Sequence, residues 1–283
     1  MAEYFTARGM PVPRELQRSP LSDWRRLLLV ATTLVVLSVG FRITNLDLSR
    51  ANPEYSGQVI RQLFNWDFRI LTPQNDFETF WDTAGGLMIV TIFLGVMATA
   101  FSIVVALPLS FLGARNVMSG NPIAVAVYIG VRLLFTIVRS IDVLIVVIVC
   151  AVLVGIGNAA GVIGLAFHNI GVLGKLYSEA IEGIDPGPLE AITATGANRL
   201  QVIWTAVIPQ IVNPYISFTI YRLDTNVRLA PILGLVGGGG IGILLFQSIN
   251  LLQYGAAGLI IFMIVITVAA MDFASAQIRR RLV

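Results

Sequence analysis

The chain has 283 residues, of which 56% are hydrophobic and 12% are charged, and its mean hydropathy is +0.82. Soluble domains carry about 25% charged residues, so this composition excludes a soluble protein and indicates an integral membrane protein. The formal net charge of +3 and the pI near 9.3 do not indicate nucleic-acid binding, because the arginines are scattered between apolar runs and are typical of basic cytoplasmic flanks of membrane helices.

Runs of about 20 mostly apolar residues predict six membrane-spanning helices, and therefore an all-α membrane protein. The predicted spans are residues 26–43, 85–112, 124–156, 159–181, 202–225 and 251–273. The third run is long enough to consist of two pieces joined near Arg139. If each piece crossed separately, there would be seven spans with the termini on opposite sides. No cleavable signal-peptide pattern precedes the first run, which is therefore predicted to be a retained anchor.

Arginines near the ends of the predicted spans indicate the orientation, because positively charged flanks stay in the cytoplasm. Both termini are predicted to be cytoplasmic, from Arg14, Arg18, Arg25 and Arg26 at one end and Arg279, Arg280 and Arg281 at the other. Arg115 and Arg199 then lie in cytoplasmic turns, and residues 45–83 lie outside. The predicted organisation is a cytoplasmic segment 1–25, a segment 26–84 with the first span and the external loop, and a core 85–283.

The external loop contains apolar residues at helical spacing between Tyr55 and Trp66. Trp66 and Trp81 suit the headgroup level of a bilayer, where tryptophan is enriched. This run is predicted to be an interfacial helix. The alternative is an ordered external loop with no role beyond packing.

Several ionisable residues fall inside or beside the predicted spans, where such groups are costly and usually face a partner or a polar pathway. They are Arg132, Arg139, Asp142, His168, Lys175, Arg222, Asp224 and Arg228. Arg139 and Asp142 are three residues apart on a helix, so they either neutralise each other or serve transport. Arg222 and Asn226 share a helical face and, with Arg228, could offer hydrogen-bond donors to an anionic solute. The alternative is that these arginines pair with Asp224 or with a neighbouring subunit.

His168 and Lys175, the only histidine and the only lysine, lie seven residues apart and so on one face of the fourth predicted span. One histidine and the single Cys150 supply no ligand set for zinc, so no metal site is expected, and Cys150 alone forms no disulfide framework. His168 is predicted to be a helix-packing hydrogen-bond donor or a pore-lining group. Lys175 is predicted to pair with the acidic residues at the cytoplasmic end of this helix, which are Glu179, Glu182 and Asp185.

A polar elbow, residues 185–209, follows the fourth span. It contains Glu190-Ala191-Ile192-Thr193-Ala194-Thr195-Gly196 and ends at Ile208-Pro209. Asp185 and Pro186 suit the N-cap and first turn of a short helix, and Gly196 can end it in the left-handed conformation. Two short helical pieces are therefore predicted to meet at a bend on the basic side of the membrane, where a separate protein can drive a pore.

A glycine segment, residues 234–242, contains six glycines, and each glycine costs a helix about 1 kcal/mol relative to alanine. Irregular backbone at membrane depth persists only beside protein or a water-filled cavity, so the segment is predicted to line or close a passage; the alternative is an external turn. Residues 155–160 and 237–242 match the glycine pattern of the dinucleotide-binding fingerprint. That fingerprint requires a βαβ unit of soluble character, whereas both stretches lie between membrane-length apolar runs, so neither is predicted to bind a nucleotide. Neither carries the lysine and Ser/Thr of a Walker A loop, so the chain is not expected to bind ATP, and no catalytic motif is present.

The elbow resembles the EAA loop of binding-protein-dependent ABC importer permeases, with Ile192 in place of the second alanine. From about Arg139 to the C-terminus, the chain resembles the permease subunit of phosphonate ABC importers, of the PhnE type. The matching residues are 139–141, 154–157, Gly161, His168, 171–176, 179–182, 184–186, Glu190, Ala191, 194–197, Pro209, Gln210, Tyr221, Arg222, 226–228 and the glycine segment. The first 80 residues match only in character, and Asp224 and the four consecutive glycines depart from the family pattern.

This resemblance implies the fold of the methionine-importer permease, a type I ABC importer transmembrane domain, in the bacterial inner membrane. It implies a homodimer, which agrees with the lack of a convincing internal repeat in the sequence. A cytoplasmic ATPase that binds ATP and Mg would dock on each elbow, an external binding protein would deliver the solute, and this chain would carry no cofactor. The implied solute is phosphonate or a related phosphorus oxyanion such as phosphate or phosphite.

Two sets of functional residues follow. The resemblance assigns coupling to the ATPase to Asp185, Pro186, Glu190, Ala191, Thr195 and Gly196. A gate or anion path is predicted, from the residues and not from a family motif, at Arg139, His168, Arg222, Asn226, Arg228, Gly237, Gly239 and Gly240. One alternative is an ion-gradient-driven secondary transporter of small anions. Another is a non-conducting membrane scaffold, and the charges and glycines at membrane depth disfavour this scaffold alternative.

Overall fold

The computed structural model describes residues 8–9, 20–44, 52–73 and 79–282. Within these ranges the regular structure is entirely helical, as predicted. The chain divides into two compact units, Met1–Gly57 and Gln58–Val283. Arg14, Arg18 and two parts of the predicted external loop, residues 45–51 and 74–78, lie outside the described residues.

The first unit contains helix α1 (Pro20–Ile43). Its residues Arg26–Ile43 form an apolar run of 18 residues and coincide with the first predicted span. The leucine and valine side chains along this run are exposed, which suits a helix surrounded by lipid. Helix α2 (Pro53–Leu63) begins in this unit and ends in the second.

The second unit is a helical bundle preceded by two short 3-10 helices, Phe68–Leu71 and Phe80–Asp82. Its helices are α3 (Ala84–Leu112), α4 (Pro122–Ser140), α5 (Val143–Val154), α6 (Asn158–Glu182), α7 (Pro186–Ala194), α8 (Arg199–Val202), α9 (Ile208–Leu235), α10 (Ile241–Asn250) and α11 (Tyr254–Leu282). Among the described residues, five helices are long and apolar enough to cross a membrane. They are α1, α3, α4, α6 and α11.

The third predicted span is made of two helices. α4 ends at Ser140, and Asp142 caps α5 by accepting a hydrogen bond from the Leu144 N–H at 2.8 Å. α4 packs against the C-terminal half of α6, and α5 packs against its N-terminal half. A Cβ at Gly171 would lie 2.8 Å from Val138 of α4, and one at Gly164 would lie 2.7 Å from Val147 of α5. The chain therefore moves steadily along α6 in one direction, and only α4 of this pair is long and apolar enough to cross a membrane by itself. The count of six spans stays a prediction.

The fifth predicted span, 202–225, has the wrong bounds. A four-residue helix α8 and a π-helical segment, Ile203–Val207, precede α9, which runs from Ile208 to Leu235. The hydropathy falls at Arg222 and Asp224, and the sequence therefore indicated an end there. Both side chains are buried among neighbouring helices, so the helix continues ten residues beyond the predicted end. The sixth predicted span, 251–273, corresponds to α11.

Two apolar clusters hold the ends of the bundle. At the end where α6 meets α7, which we call the elbow end, Tyr177 of α6 and Tyr215 of α9 stack with ring centroids 4.0 Å apart. The Tyr215 hydroxyl lies 3.0 Å from Ser110 Oγ of α3. At the opposite end, Met88, Ile241 and Ile260 join α3, α10 and α11. Since α3, α6 and α9 meet directly, these helices form the core on which the site is built.

The predicted interfacial helix is present as α2, and within it no described residue is buried. Trp66, which follows it, stacks on Phe262 of α11 with ring centroids 4.4 Å apart. Packing against α11 therefore accounts for Trp66, whereas Trp81 is exposed. Placement of α2 at a membrane surface stays a prediction.

Candidate functional site

The elbow is a short exposed helix that is capped at both ends. Asp185 is the N-cap of α7, its carboxylate accepts a hydrogen bond from the Gly187 N–H at 3.0 Å, and Pro186 lies in the first turn. At the other end, the Gly196 N–H donates to the Thr193 carbonyl at 3.0 Å, and Gly196 has φ +81°. This left-handed conformation favours glycine. Both predicted caps are therefore present.

One side chain and one apolar contact fasten the elbow to the bundle. Gln210 Oε1 accepts a hydrogen bond from the Asp185 N–H at 2.9 Å, and Gln210 Nε2 donates to the Ala206 carbonyl at 2.8 Å. Leu189 of α7 packs on the apolar cluster around Tyr177. A displacement of α7 would therefore act directly on the first turn of α9.

The outer face of α7 is open. No residue of this helix is buried, and Glu190, Ala191 and Thr195 are exposed. Glu190 forms no ion pair within the described part of the chain. On the inner side, a cavity of about 310 Å³ separates α7 from the turn after α3; Asn116, Leu189, Thr193 and Ile203 are among its lining residues. An exposed helix above a cavity suits a docking surface that moves.

Ion pairs at the elbow end are structural. Arg132 Nη2 of α4 lies 2.5 Å from Glu182 Oε2 of α6, and Arg132 Nε donates to the Gly113 carbonyl at 2.9 Å. Lys175 Nζ lies 3.8 Å from Glu179 Oε1, which confirms the predicted intrahelical pair. These contacts join α3, α4 and α6 at the elbow end.

Arg228, a predicted member of the anion path, is held by carboxylates of two helices. Its Nη2 lies 3.3 Å from Asp224 Oδ2 of α9 and 2.5 Å from Asp272 Oδ1 of α11. Arg228 therefore forms structural ion pairs, which was the alternative to a role in an anion path. Two carboxylates neutralise its charge, so its geometry gives no support to the predicted role.

Arg139 and Asp142 do not form an ion pair, which was one of the two alternatives for them. Pairing at this spacing requires one continuous helix, but α4 ends at Ser140 and Ile141 is extended, with ψ 130°. Asp142 instead caps α5, and the Arg139 side chain is exposed and unpaired within the described residues.

Two polar side chains of α9 point into the bundle. Arg222 is 8% exposed, and its Nε donates to Asn169 Oδ1 of α6 at 3.0 Å while its Nη2 contacts the same oxygen. Asn226 is fully buried, and its Nδ2 donates to Thr99 Oγ1 of α3 at 2.7 Å. His168, next to Asn169, is half-buried. Arg222 and Asn226, which were predicted to share one face of the helix, therefore contact two different helices, α6 and α3.

The glycine segment is irregular, as predicted, and closely packed. Left-handed φ angles occur at Gly237 (+95°), Gly239 (+85°) and Gly240 (+72°). The Gly240 N–H donates to Asn158 Oδ1 of α6 at 3.2 Å, and the Ile241 N–H donates to Thr91 Oγ1 of α3 at 2.8 Å. Residues 238–240 are buried, so the segment is packed against its neighbours, and the choice between a gate and an external turn stays open.

A cavity of about 290 Å³ borders the glycine segment at the end opposite the elbow. Its lining includes Asp82, Asn158 and Gln247. The Thr79 N–H and hydroxyl donate to the Asp82 carboxylate at 3.0 and 2.8 Å, and these hydrogen bonds lower the pKa of Asp82. The glycine segment thus lies between buried helices on one side and open space on the other, where a closing element would lie.

Sequence reasoning did not identify the residues that hold this site. They are Thr91, Thr99, Asn158, Asn169 and Gln210. All are uncharged. Gln210 is among the residues that carry the family resemblance, and the signal of the other four in the sequence was a polar side chain in or beside an apolar run, which is common at helix contacts in membranes. In the described part of the chain, no group of three or more His, Cys, Asp or Glu could hold a metal ion.

Comparison with known proteins identifies relatives of the chain. Residues 106–283 match the family described as binding-protein-dependent transport system inner membrane component. The chain is 41% identical over 193 residues to the phosphate-import permease protein PhnE of Mycolicibacterium smegmatis, covering 68% of this chain and 36% of that protein. It is 35% identical over 193 residues to the phosphite transport system permease protein PtxC of Stutzerimonas stutzeri, covering 68% and 69%. A chain of the MetNI methionine ABC transporter in an inward facing conformation matches with a TM-score of 0.59 at 25% identity, covering 69% and 94%.

Proposed function

Because the chain belongs to the family of binding-protein-dependent transport system inner membrane components, we propose that it is the permease subunit of an ATP-driven importer for phosphorus oxyanions. The elbow carries this proposal. Helix α7 is capped, exposed and fastened to α9 through Gln210, which suits a lever that a separate ATPase moves. The chain's likeness to MetNI, at 25% identity, supports the same architecture.

The solute is a phosphonate or a related phosphorus oxyanion such as phosphate or phosphite. Two relatives are named for phosphate import and phosphite transport, which supports this class. The buried Arg222 supports it chemically, because the planar guanidinium matches the oxygens of phosphate-like anions. The external binding protein makes most of the choice among these oxyanions.

The working assembly contains two copies of this chain, two ATPases and one binding protein. Each ATPase binds ATP and Mg²⁺ and docks on the elbow of one copy. The docking residues are Asp185, Pro186, Glu190, Ala191, Thr195 and Gly196. With the elbow in the cytoplasm, the arginine flanks place both termini on the same side, and the glycine segment lies toward the binding protein.

Helix α9 conveys the motion across the membrane. Its 28 residues span about 42 Å, with Gln210 in its first turn and the start of the glycine segment, Gly234, in its last. When the ATPases close on ATP, α7 moves α9 through Gln210 and Leu189. The backbone at Gly237, Gly239 and Gly240 then opens or closes the passage, and Arg222 lies along it.

Phosphite uptake into proteoliposomes tests this function. Vesicles that contain this chain, its ATPase and internal ATP should take up labelled phosphite when the binding protein is outside. Replacement of the Walker A lysine of the ATPase is the control and should abolish uptake. Uptake by this chain alone, driven by an ion gradient, would refute the proposal and establish secondary transport.

A further inference from the structure

A buried arginine in the middle of the bundle lacks a negatively charged partner. Arg222 is 8% exposed, and Asn169, which accepts its hydrogen bonds, is 0% exposed. An amide oxygen carries no formal charge, so it does not neutralise the guanidinium. Asn169 lies near the middle of the 25-residue α6. At that depth in a membrane an unpaired charge is costly and indicates a functional site.

Other arginines of the bundle do reach carboxylates. Arg132 meets Glu182 at the elbow end, and Arg228 meets Asp224. Asp224 is only two residues from Arg222 in sequence, but its carboxylate contacts Arg228 on the next turn of α9. Within the described residues, Arg222 itself forms no ion pair.

Unpartnered hydrogen-bonding atoms lie beside the same guanidinium. Asn169 Nδ2 is a buried donor with no partner among the described residues, and His168 Nδ1, at the neighbouring position, is also buried there without a hydrogen-bond partner. Arg222 uses Nε and Nη2 on Asn169 Oδ1, and its Nη1 donates to no described residue. Since the great majority of buried polar side-chain atoms in proteins are paired, this cluster is built to receive a further acceptor.

We propose that Arg222 and Asn169, with His168 beside them, form a binding site for one phosphorus oxyanion at membrane depth. Such an ion supplies a negative charge for the guanidinium and an acceptor oxygen for Asn169 Nδ2. A free solute ion and a phospholipid headgroup share this chemistry, and the experiment below separates them. The site rests on the proposed function, and it gives the permease its own contact with the solute, separate from the binding protein.

Asn169→Asp in the assembled complex tests the site, because the new carboxylate would pair with Arg222 and occupy it. We expect phosphite uptake to fall by about tenfold or more, as for the loss of a charge-assisted hydrogen bond. In maltoside detergent, added phosphite should raise the unfolding midpoint of the wild type but not that of Asn169→Asp, whose midpoint should already be higher. Arg222→Lys keeps the charge but not the planar fork, and it should also lower uptake.

Asn121→Asp is the matched control. Asn121 is the exposed N-cap of α4, where aspartate caps equally well, so uptake and the phosphite response should stay unchanged. Wild-type uptake in both Asn169→Asp and Arg222→Lys would overturn the oxyanion site and leave the proposed function intact. A wild-type midpoint that rises with phosphatidylglycerol but not with phosphite would assign the site to lipid and overturn it as a solute site. If the wild type takes up no phosphorus oxyanion, the proposed function fails, and the site fails with it.

Discussion

Replacing Gly196 with valine perturbs the elbow through its backbone alone. Gly196 has φ +81°, and no neighbouring atom lies within 4 Å of the position that a Cβ would take. The Cβ of the new side chain therefore meets no steric obstacle. A left-handed backbone costs a non-glycine residue roughly 1–2 kcal/mol, and about 1.4 kcal/mol is a tenfold change in an equilibrium. The native ending of α7 should therefore lose about tenfold in population relative to other conformations.

ATP hydrolysis stimulated by the binding protein measures the consequence of Gly196→Val. The variant should insert and assemble, because Gly196 is exposed and contributes nothing to the bundle core. Stimulated hydrolysis and uptake should fall together by about tenfold, in line with the conformational cost. Gly183→Ala is the control at the other end of the elbow, because Gly183 has φ −87°, which every residue adopts. Stimulated hydrolysis at the wild-type level in Gly196→Val would refute the assignment of coupling to the elbow.

Two further substitutions test the glycine segment and the short helix before α3. Gly161→Ala places a Cβ against the Gly238 carbonyl oxygen, well inside the 3.0 Å that real Cβ atoms keep, so the unfolding midpoint should drop by several degrees and uptake should be lost. Gly130→Ala, with no atom within 4 Å, should change neither, and an unchanged midpoint in Gly161→Ala would contradict this packing. The hydrogen bonds from Thr79 lower the pKa of Asp82, so the carboxylate stabilises the fold above its unfolded-state pKa of about 3.9, and this contribution is lost as pH falls through the folded-state value. The difference in unfolding midpoint between the wild type and Asp82→Ala should therefore be present at neutral pH and vanish in acid, whereas a difference independent of pH would count against it.

Features that depend on nearby residues in the sequence were predictable. The spans follow from hydropathy over about 20 residues. Helices occur in all six predicted spans, and in five of these spans a helix is long and apolar enough to cross a membrane. The caps at Asp185 and Gly196 are decided within one turn of helix, so residue type alone indicated them. The irregular glycine segment was predictable for the same reason, because glycine is the residue that adopts left-handed φ at little cost.

Features that depend on neighbours in space were not predictable. The charge of Arg222 indicated the end of a span, although α9 continues to Leu235 because Asn169 receives that side chain inside the bundle. Asp272 neutralises Arg228 from 44 residues away, and no spacing rule indicates such a partner. Of the three polar residues of α9 in the predicted anion path, Arg228 alone is paired with carboxylates in the described part of the chain, and the path itself stays a prediction.

The close contacts of α6 imply an order of assembly during synthesis. Gly164, Gly171 and Gly174 all receive side chains from α4 and α5, which directly precede α6 in the chain, so these helices can pack as soon as α6 enters the membrane. The contacts of α9 with α3 join residues 105 and 127 positions apart and close only after α9 has been made. A nascent chain whose α9 fits poorly would therefore hold a packed α3 to α6 fragment with an open groove, and the surfaces exposed in that groove would make it prone to misassembly.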